Sequence, residues 1–178
     1  MSEELDQGVR AELSELERKV AGEVEPGLRG VGIAAAVLVL LAAMLAPHSG
    51  SASGWDVLLF DARAQAAGIG LPSRLFVSSA VLFTVAMSAA ALVLRRWTIA
   101  WVATVGCGLT VLLGLFAVWS RQTVPNAASV SGPGLGLLVM WLMTLVVAFH
   151  WARLVWTQVP PAAPRAGEQF VPKLRIGE

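Results

Sequence analysis

Four long apolar stretches dominate the hydrophobic pattern of this chain. They cover about residues 28–46, 75–94, 97–119 and 133–156, and only Arg29 and Arg153, near the ends of the first and fourth, are charged. A helix of about 20 apolar residues crosses a hydrocarbon core roughly 30 Å thick and satisfies its own backbone hydrogen bonds in lipid. The pattern therefore predicts an all-α fold, an integral membrane four-helix bundle.

A different periodicity precedes the first stretch. Apolar residues recur every three or four positions on a segment otherwise rich in Glu, Arg and Lys, and these residues are Leu5, Val9, Leu13, Leu16, Val20 and Val24. This spacing places them on one face of an amphipathic helix, which Pro26 and Gly27 end. We expect residues 1–27 to lie in the cytoplasm, with the apolar stripe docking on a protein partner, a second copy or the chain's own tail. A frayed, solvated helix is the alternative.

The segments between and after the apolar stretches complete the organisation. Residues 47–74 are predicted to be an outer loop that includes a surface helix, because Trp55 to Ala66 shows helical spacing of its apolar positions. Residues 28–157 thus form the transmembrane domain. Residues 158–178, rich in Pro, Ala and Gly, are predicted to be a flexible cytoplasmic tail.

The distribution of Lys and Arg predicts the orientation of the bundle. Most basic residues fall in the N-terminal segment, the Arg95-Arg96 turn and the C-terminal tail, and few fall in the two loops on the other side. Short loops rich in positive charge stay in the cytoplasm. The sequence therefore predicts a multi-pass plasma membrane protein with both termini cytoplasmic.

Composition narrows the function classes further. The chain is 56% hydrophobic and 14% charged, with a net charge of +1, so no basic surface for nucleic acid is predicted. Its single cysteine, Cys107, permits neither an internal disulfide nor a site with several thiolate ligands. We interpret Cys107 as a packing residue and predict no cofactor and no metal.

Two groups of polar residues are candidates for interaction or structural sites. One group is predicted to converge where the outer loop meets the third helix, and it comprises His48, Asp56, Asp61 and Arg121. These residues could form a metal or catalytic cluster, or an ion pair that fixes the loop to the bundle. The remaining alternative is that they belong to a solvated loop helix. Their spacing matches no known ligand motif. His150 and Arg153 share a face near the end of the fourth helix, where a titratable site competes with simple snorkelling to the membrane surface.

Several short motifs resemble those of a conserved, uncharacterised mycobacterial and actinobacterial family of four-span transmembrane proteins. The motifs are residues 47–48, 54–59, 95–101, 119–123 and 149–153. The resemblance covers most of the chain up to the fourth helix. It implies an actinobacterial plasma membrane protein and supplies no substrate, cofactor or catalytic residue.

The sequence supports one leading functional hypothesis and two alternatives. A non-enzymatic scaffold that uses its N-terminal helix to bind a partner fits the apolar stripe and the scarcity of ionisable groups in the spans. A transporter or channel subunit that forms its pathway between copies is the runner-up. A membrane enzyme built on His48, Asp56, Asp61 and Arg121 is the third hypothesis. The predicted partners are the lipid bilayer and a protein, and not nucleic acid.

Overall fold

The computed structural model describes residues 27–123 and 132–157, and this part of the chain is almost entirely helical. The helices are α1 (Gly27–Ala43), α2 (Gly54–Leu59), α3 (Ala62–Ala66), α4 (Leu71–Ser79), a π-helical segment (Ala80–Met87), α5 (Ser88–Leu94), α6 (Trp97–Gln122) and α7 (Leu135–Thr157), and the strands are β1 (Pro47–Ser49) and β2 (Ala52–Ser53). The predicted all-α class is confirmed. The N-terminal stripe from Leu5 to Val20 and the tail lie outside the described residues, so both stay predictions.

The long helices pack side by side around a shared core. α1 packs mainly against α7, α7 also packs against α6, and α6 packs against the continuous helix made of α4, the π-helical segment and α5. Only Arg95 and Arg96 separate α5 from α6, so these two helices run antiparallel. We call the end that carries residues 44–70 the loop end, and the end at Arg95 and Arg96 the turn end.

Each end of the bundle has its own hydrophobic cluster. At the loop end, Leu40, Phe76 and Met140 are completely buried among the surrounding helices. At the turn end, Ile33 and Trp151 are likewise completely buried among the surrounding helices. Burying side chains of this size is the largest favourable contribution to folding, at about 1.5–3 kcal/mol for each aliphatic one.

Close packing between the helices depends on two glycines of α6. A Cβ at Gly114 would overlap Trp141 and come within 2.9 Å of the Phe76 ring. A Cβ at Gly106 would overlap Phe83, which belongs to the π-helical segment. All three aromatic side chains therefore pack directly on the backbone of α6.

A compact subdomain covers the loop end. After α1, the short antiparallel strands β1 and β2 form a hairpin, and Gly50 adopts the left-handed φ of 58° that its turn requires. α2 and α3 follow and occupy the segment for which helical spacing predicted a surface helix. The hairpin and the two helices thus connect the end of α1 to the start of α4.

The outer surface of the bundle is apolar. Three helical stretches, Leu71–Leu94, Trp97–Gln122 and Leu135–Thr157, are long and apolar enough to cross a membrane, judged by length and composition only. α1 is shorter, at 17 residues. Only 28–33% of the most apolar window of each long helix is buried inside the bundle. Most residues of these windows are therefore exposed or only partly buried.

Candidate functional site at the loop end

The two carboxylates of the loop cap short helices. The Ser53 main-chain N–H and hydroxyl donate to the Asp56 carboxylate at 2.7 and 2.8 Å, which together with the Ser53 cap forms a capping box at the start of α2. These hydrogen bonds, the main-chain one most, lower the pKa of Asp56 below its ordinary value. Asp61 accepts from the main-chain N–H groups of Arg63 and Ala64 at 2.8 and 3.1 Å and so caps α3. Both carboxylates thus stabilise the local fold.

Arg121 ties the loop to the bundle. Its side chain is 6% exposed near the end of α6, and its guanidinium donates to the carbonyl oxygens of Gly68 and Ala67 at 2.9 and 3.0 Å. It also donates to the Ser49 hydroxyl, which in turn donates to the Gly132 carbonyl at 3.2 Å. A buried guanidinium holds several acceptors at once because its donors are fixed in a plane. One arginine therefore joins β1, the segment after α3 and the start of the α7 region.

His48 lies beside this clamp and is completely buried. Neither imidazole nitrogen has a hydrogen-bond partner among the described residues, while the His48 carbonyl accepts from the Gly134 N–H at 2.8 Å. Burial, and secondarily the positive charge of Arg121, lowers the pKa of His48 from 6.5 to about 4. The imidazole is therefore neutral at pH 7.

The predicted cluster is only partly assembled. The structure brings His48 and Arg121 together, whereas Asp56 and Asp61 serve as helix caps. Within residues 27–123 and 132–157, no group of three or more His, Cys, Asp or Glu side chains is placed to hold a metal ion. The arrangement holds the loop in place, and its geometry favours the structural alternative among those that the sequence left open.

The second predicted pair lies at the turn end. His150 is half-buried and packs on Gly32 of α1, where a Cβ would come within 2.8 Å of the imidazole Nε2. Arg153 is exposed, with its guanidinium carbon 5.9 Å from the centre of the Phe149 ring. His150 therefore contributes to the contact between α1 and α7, and Arg153 lies on the surface. A functional role for the pair stays a prediction.

Sequence reasoning missed a buried polar network beside the turn-end cluster. The Trp151 indole N–H donates to the Ser88 hydroxyl at 2.9 Å, and that hydroxyl lies 3.5 Å from the Phe83 carbonyl oxygen. The Cys107 thiol lies 3.7 Å from the same carbonyl and from the Thr84 hydroxyl. Single Ser, Thr and Cys residues within apolar stretches were the available signal. The Ser88 and Cys107 side chains contact the Phe83 carbonyl of the π-helical segment. The i→i+5 hydrogen bonding of a π-helix widens the backbone and leaves room for such side-chain donors.

The fold and this clamp define a class of protein: a helical bundle with an apolar outer surface, closed at one end by a hydrogen-bonded loop. The family described as MiaB C-terminal domain matches residues 10–166. The tRNA-2-methylthio-N(6)-dimethylallyladenosine synthase of Mycobacterium avium (strain 104) is 46% identical over 150 residues, which are 84% of this chain and 21% of that protein. No solved structure matches the chain. The chain belongs to the MiaB C-terminal domain family and spans about a fifth of the length of this relative.

These comparisons overturn the predictions of family and function. The assignment to an uncharacterised four-span family is wrong, because the MiaB C-terminal domain family matches most of the chain. The non-enzymatic scaffold and the transporter or channel subunit are wrong as well, because the relative is named as a synthase of a modified tRNA nucleoside. The scarcity of ionisable residues in the apolar stretches could not indicate an enzymatic activity, since the chain matches only about a fifth of that enzyme.

The predictions that the protein is not an enzyme and that it has no nucleic acid partner are also wrong. The name of the same relative contains both an enzymatic activity and tRNA. A net charge of +1 describes this chain and carries no information about the part of the relative that the chain does not match. The plasma membrane localisation with cytoplasmic termini is corrected on the same finding. It depended on the four-span family and on the count of basic residues on each side, and the MiaB C-terminal domain family replaces that four-span family.

Proposed function

We propose that this chain is the C-terminal helical module of a tRNA-2-methylthio-N(6)-dimethylallyladenosine synthase. The observation that carries the proposal is the 46% identity over 84% of the chain to an enzyme of that name, together with the family match over residues 10–166. The substrate is then a tRNA that carries N(6)-dimethylallyladenosine, and the product carries a methylthio group at position 2 of the same base. The chain takes part in this reaction together with the portion of such an enzyme that it does not match.

The structure suggests how the module supports the reaction. The contacts of Arg121 with Gly68, Ala67 and Ser49 fix the loop end as one rigid unit. Such a unit holds a neighbouring catalytic portion in a constant orientation more effectively than an isolated loop does. The buried, neutral His48 belongs to this rigid unit.

The finer architecture is part of the proposal: the bundle is a lipid-embedded four-helix bundle. Large apolar side chains project outward along every long helix, among them Leu38, Leu82, Leu112 and Leu145, each at least 43% exposed. Large contiguous apolar surfaces are uncommon on monomers in water, so exposed leucines along all of these helices favour contact with lipid. The charged residues of the described segments lie at the two ends of the bundle, where a bilayer meets water.

Association with tRNA is the first test. The full-length tagged protein is crosslinked to RNA in its host by ultraviolet light, purified and sequenced for bound RNA. The proposal predicts that tRNAs carrying N(6)-dimethylallyladenosine are enriched over those recovered with an unrelated tagged membrane protein. RNA recovery equal to this control, with no tRNA enrichment, would contradict the proposal.

Lipid embedding is tested separately by cysteine accessibility. Leu112→Cys and Arg63→Cys are introduced into a Cys107→Ala background, since both positions are exposed in the bundle but only Arg63 lies in the loop. In unsealed host membranes, a water-soluble maleimide should label Arg63→Cys and leave Leu112→Cys unlabelled until the protein is denatured. Equal labelling rates at both positions before denaturation would show that water covers the bundle.

A further inference from the structure

The turn end of the bundle carries a cationic surface. Arg29 lies in the first turn of α1, Arg95 and Arg96 separate α5 from α6, and Arg153 lies near the end of α7. All four side chains are exposed. Within residues 27–123 and 132–157, both aspartates lie at the loop end and no glutamate occurs. The described residues therefore place four guanidinium groups and no carboxylate at the turn end.

Large apolar side chains accompany these arginines. Leu28 is 91% exposed, Leu94 is 56% exposed and Trp156 is 72% exposed, and each lies within three positions of one of the four arginines along the chain. The turn-end surface, which we define by these three side chains and the four arginines, is thus both apolar and cationic. A surface of this kind fits a partner that is both apolar and acidic.

The chain itself contains a segment with that chemistry, residues 1–26, which lies outside the described part of the structure. The segment holds eight of the twelve acidic side chains of the whole chain and, as basic ones, Arg10, Arg18 and Lys19. The rest of the chain is therefore net positive, and the segment is net negative. The same segment carries the apolar stripe from Leu5 to Val24, so it complements the turn-end surface in charge and in apolar contact.

The segment joins the bundle at the turn end. Gly27, the first residue of α1, has a left-handed φ of 45°, and Pro26 precedes it. A left-handed residue cannot continue an α-helix, so the chain changes direction at this point. Glu25 and Glu23 lie two and four positions before Gly27, within about 15 Å of the start of α1 even for a fully extended chain. So short a tether gives the segment a high effective concentration at the turn-end surface.

The segment is also long enough to cross this surface. A helix of residues 2–25 is about 36 Å long at a rise of about 1.5 Å per residue. α1 packs on α7 and α7 packs on α6, and packed helices lie about 8–10 Å apart, so the three helices span roughly 20 Å. The Arg29 guanidinium donates to the Thr157 hydroxyl at 3.0 Å, which places the start of α1 beside the end of α7. One helix therefore reaches the arginines of all three helices.

We propose that residues 2–25 dock on the turn-end surface of their own chain. The carboxylates contact Arg29, Arg96 and Arg153, and the apolar stripe packs against Leu28, Leu94 and Trp156. This contact goes beyond the proposed function and depends on neither tRNA nor lipid. It covers the cationic surface from within the chain, so an anionic partner binds at the turn end only by displacing the segment.

Zero-length crosslinking tests the contact directly. The full chain carrying Arg96→Lys, which keeps the positive charge, is treated with a carbodiimide in nonionic detergent, and coupled peptides are identified by mass spectrometry. The introduced amine should couple to carboxylates between residues 3 and 25. The matched control Arg63→Lys, exposed at the loop end, should give at least about tenfold less of this product. Mixing unlabelled and nitrogen-15 protein distinguishes coupling within a chain from coupling between copies.

Trypsin measures the same contact on the unmodified protein, because Arg18 and Lys19 are cleavage sites inside the segment. Salt at 1 M shortens the screening length to about 3 Å and should accelerate cleavage there severalfold relative to cleavage at Arg165 in the tail. At low salt, Arg96→Gln/Arg153→Gln should accelerate it about fivefold, since two surface ion pairs are weakened together. The control Arg63→Gln/Arg74→Gln, which removes the same charge at the loop end, should leave the rate unchanged.

Four results would overturn the proposal. Coupling from Arg96→Lys that does not exceed the Arg63→Lys control shows that the segment does not lie at the turn end. Coupling found only between labelled and unlabelled chains assigns the surface to a second copy. Coupling found only to Glu168 or Glu178 assigns it to the chain's own tail. Cleavage at Arg18 and Lys19 that responds neither to salt nor to the turn-end variant shows that charge does not hold the segment.

Discussion

The loop end and the turn end of the bundle use their polar residues in opposite ways. At the loop end, Asp56, Asp61 and Arg121 are engaged by hydrogen bonds that cap helices and hold the chain together. At the turn end, Arg95 and Arg96 are exposed, and the core beside them relies on apolar packing around Trp151. Side-chain hydrogen bonds therefore hold the chain together at the loop end. At the turn end, the arginine side chains lie on the surface of the bundle.

Arg121 should produce the largest loss of stability in the described chain. Arg121→Ala removes donors to two carbonyl oxygens and the Ser49 hydroxyl, and a hydrogen bond to a charged group contributes about 1.5–3 kcal/mol. We expect the free energy of unfolding in detergent to fall by about 3 kcal/mol or more. The matched control Arg153→Ala, exposed at the turn end, should change it by less than about 0.5 kcal/mol. Equal losses would remove the distinction between the two ends.

Acid should weaken the loop end through His48. The folded pKa of about 4 lies below the ordinary value of 6.5, so the unfolded chain binds a proton first as the pH falls. Stability from this group is complete above pH 6.5 and is lost progressively down to about pH 4, by about 3 kcal/mol in total. Asp56, whose pKa is also lowered, adds its own loss only around and below its ordinary value of 3.8.

Unfolding measured between pH 7 and pH 4 checks this. His48→Gln should flatten the pH dependence in that window, whereas Gly108→Ala should preserve it. A slope that is unchanged in His48→Gln would mean that another group causes the acid sensitivity.

Close approach of the helices should be sensitive to a single methyl group. Gly114→Ala places a Cβ against Trp141 and Phe76, and overpacking of this kind costs about 1–3 kcal/mol. Gly108→Ala, on the same helix, meets nothing within 4 Å and should stabilise by up to about 1 kcal/mol through helix propensity. Thermal unfolding of both variants checks the difference, and a stabilised Gly114→Ala would contradict this packing.

The smallest expected effect concerns the polar contact in the turn-end core. Trp151→Phe removes the 2.9 Å hydrogen bond to Ser88 and should cost about 1 kcal/mol beyond the loss of ring area. Ser88→Ala in a double-mutant cycle with Trp151→Phe measures this coupling directly. A coupling energy near zero would show that apolar contact alone stabilises the turn end. Trp156→Phe, at an exposed position, serves as the control.

Much of the fold follows from the sequence, and most of the site does not. Apolar length alone predicts the long helices, because each stretch is regular and almost free of charge. Arg121 was a visible candidate, but its carbonyl partners at Ala67 and Gly68 lie more than 50 residues away and have no side-chain signature. The π-helical hydrogen bonding of Ala80–Met87 is equally hidden, since its residues are ordinary helix formers. Both the hydrogen bonds of Arg121 and the π-helical hydrogen bonds of Ala80–Met87 depend on tertiary packing.

The sequence did not reveal the function, for a different physical reason. Among the described residues, no group of three or more His, Cys, Asp or Glu side chains is placed to hold a metal ion, and the hydrogen bonds of Arg121 hold the loop in place. The connection to tRNA comes from likeness to a much longer protein, of which this chain matches 21%.

Nucleoside analysis of bulk tRNA tests the central claim most directly. The coding sequence of this chain is deleted in its host, and tRNA nucleosides are quantified by liquid chromatography and mass spectrometry, with the intact chain restored on a plasmid as the control. A role in the synthase predicts that 2-methylthio-N(6)-dimethylallyladenosine falls severalfold while N(6)-dimethylallyladenosine rises by a corresponding amount, and that the intact chain reverses both changes. An unchanged ratio of the two nucleosides in the deletion strain would contradict the account.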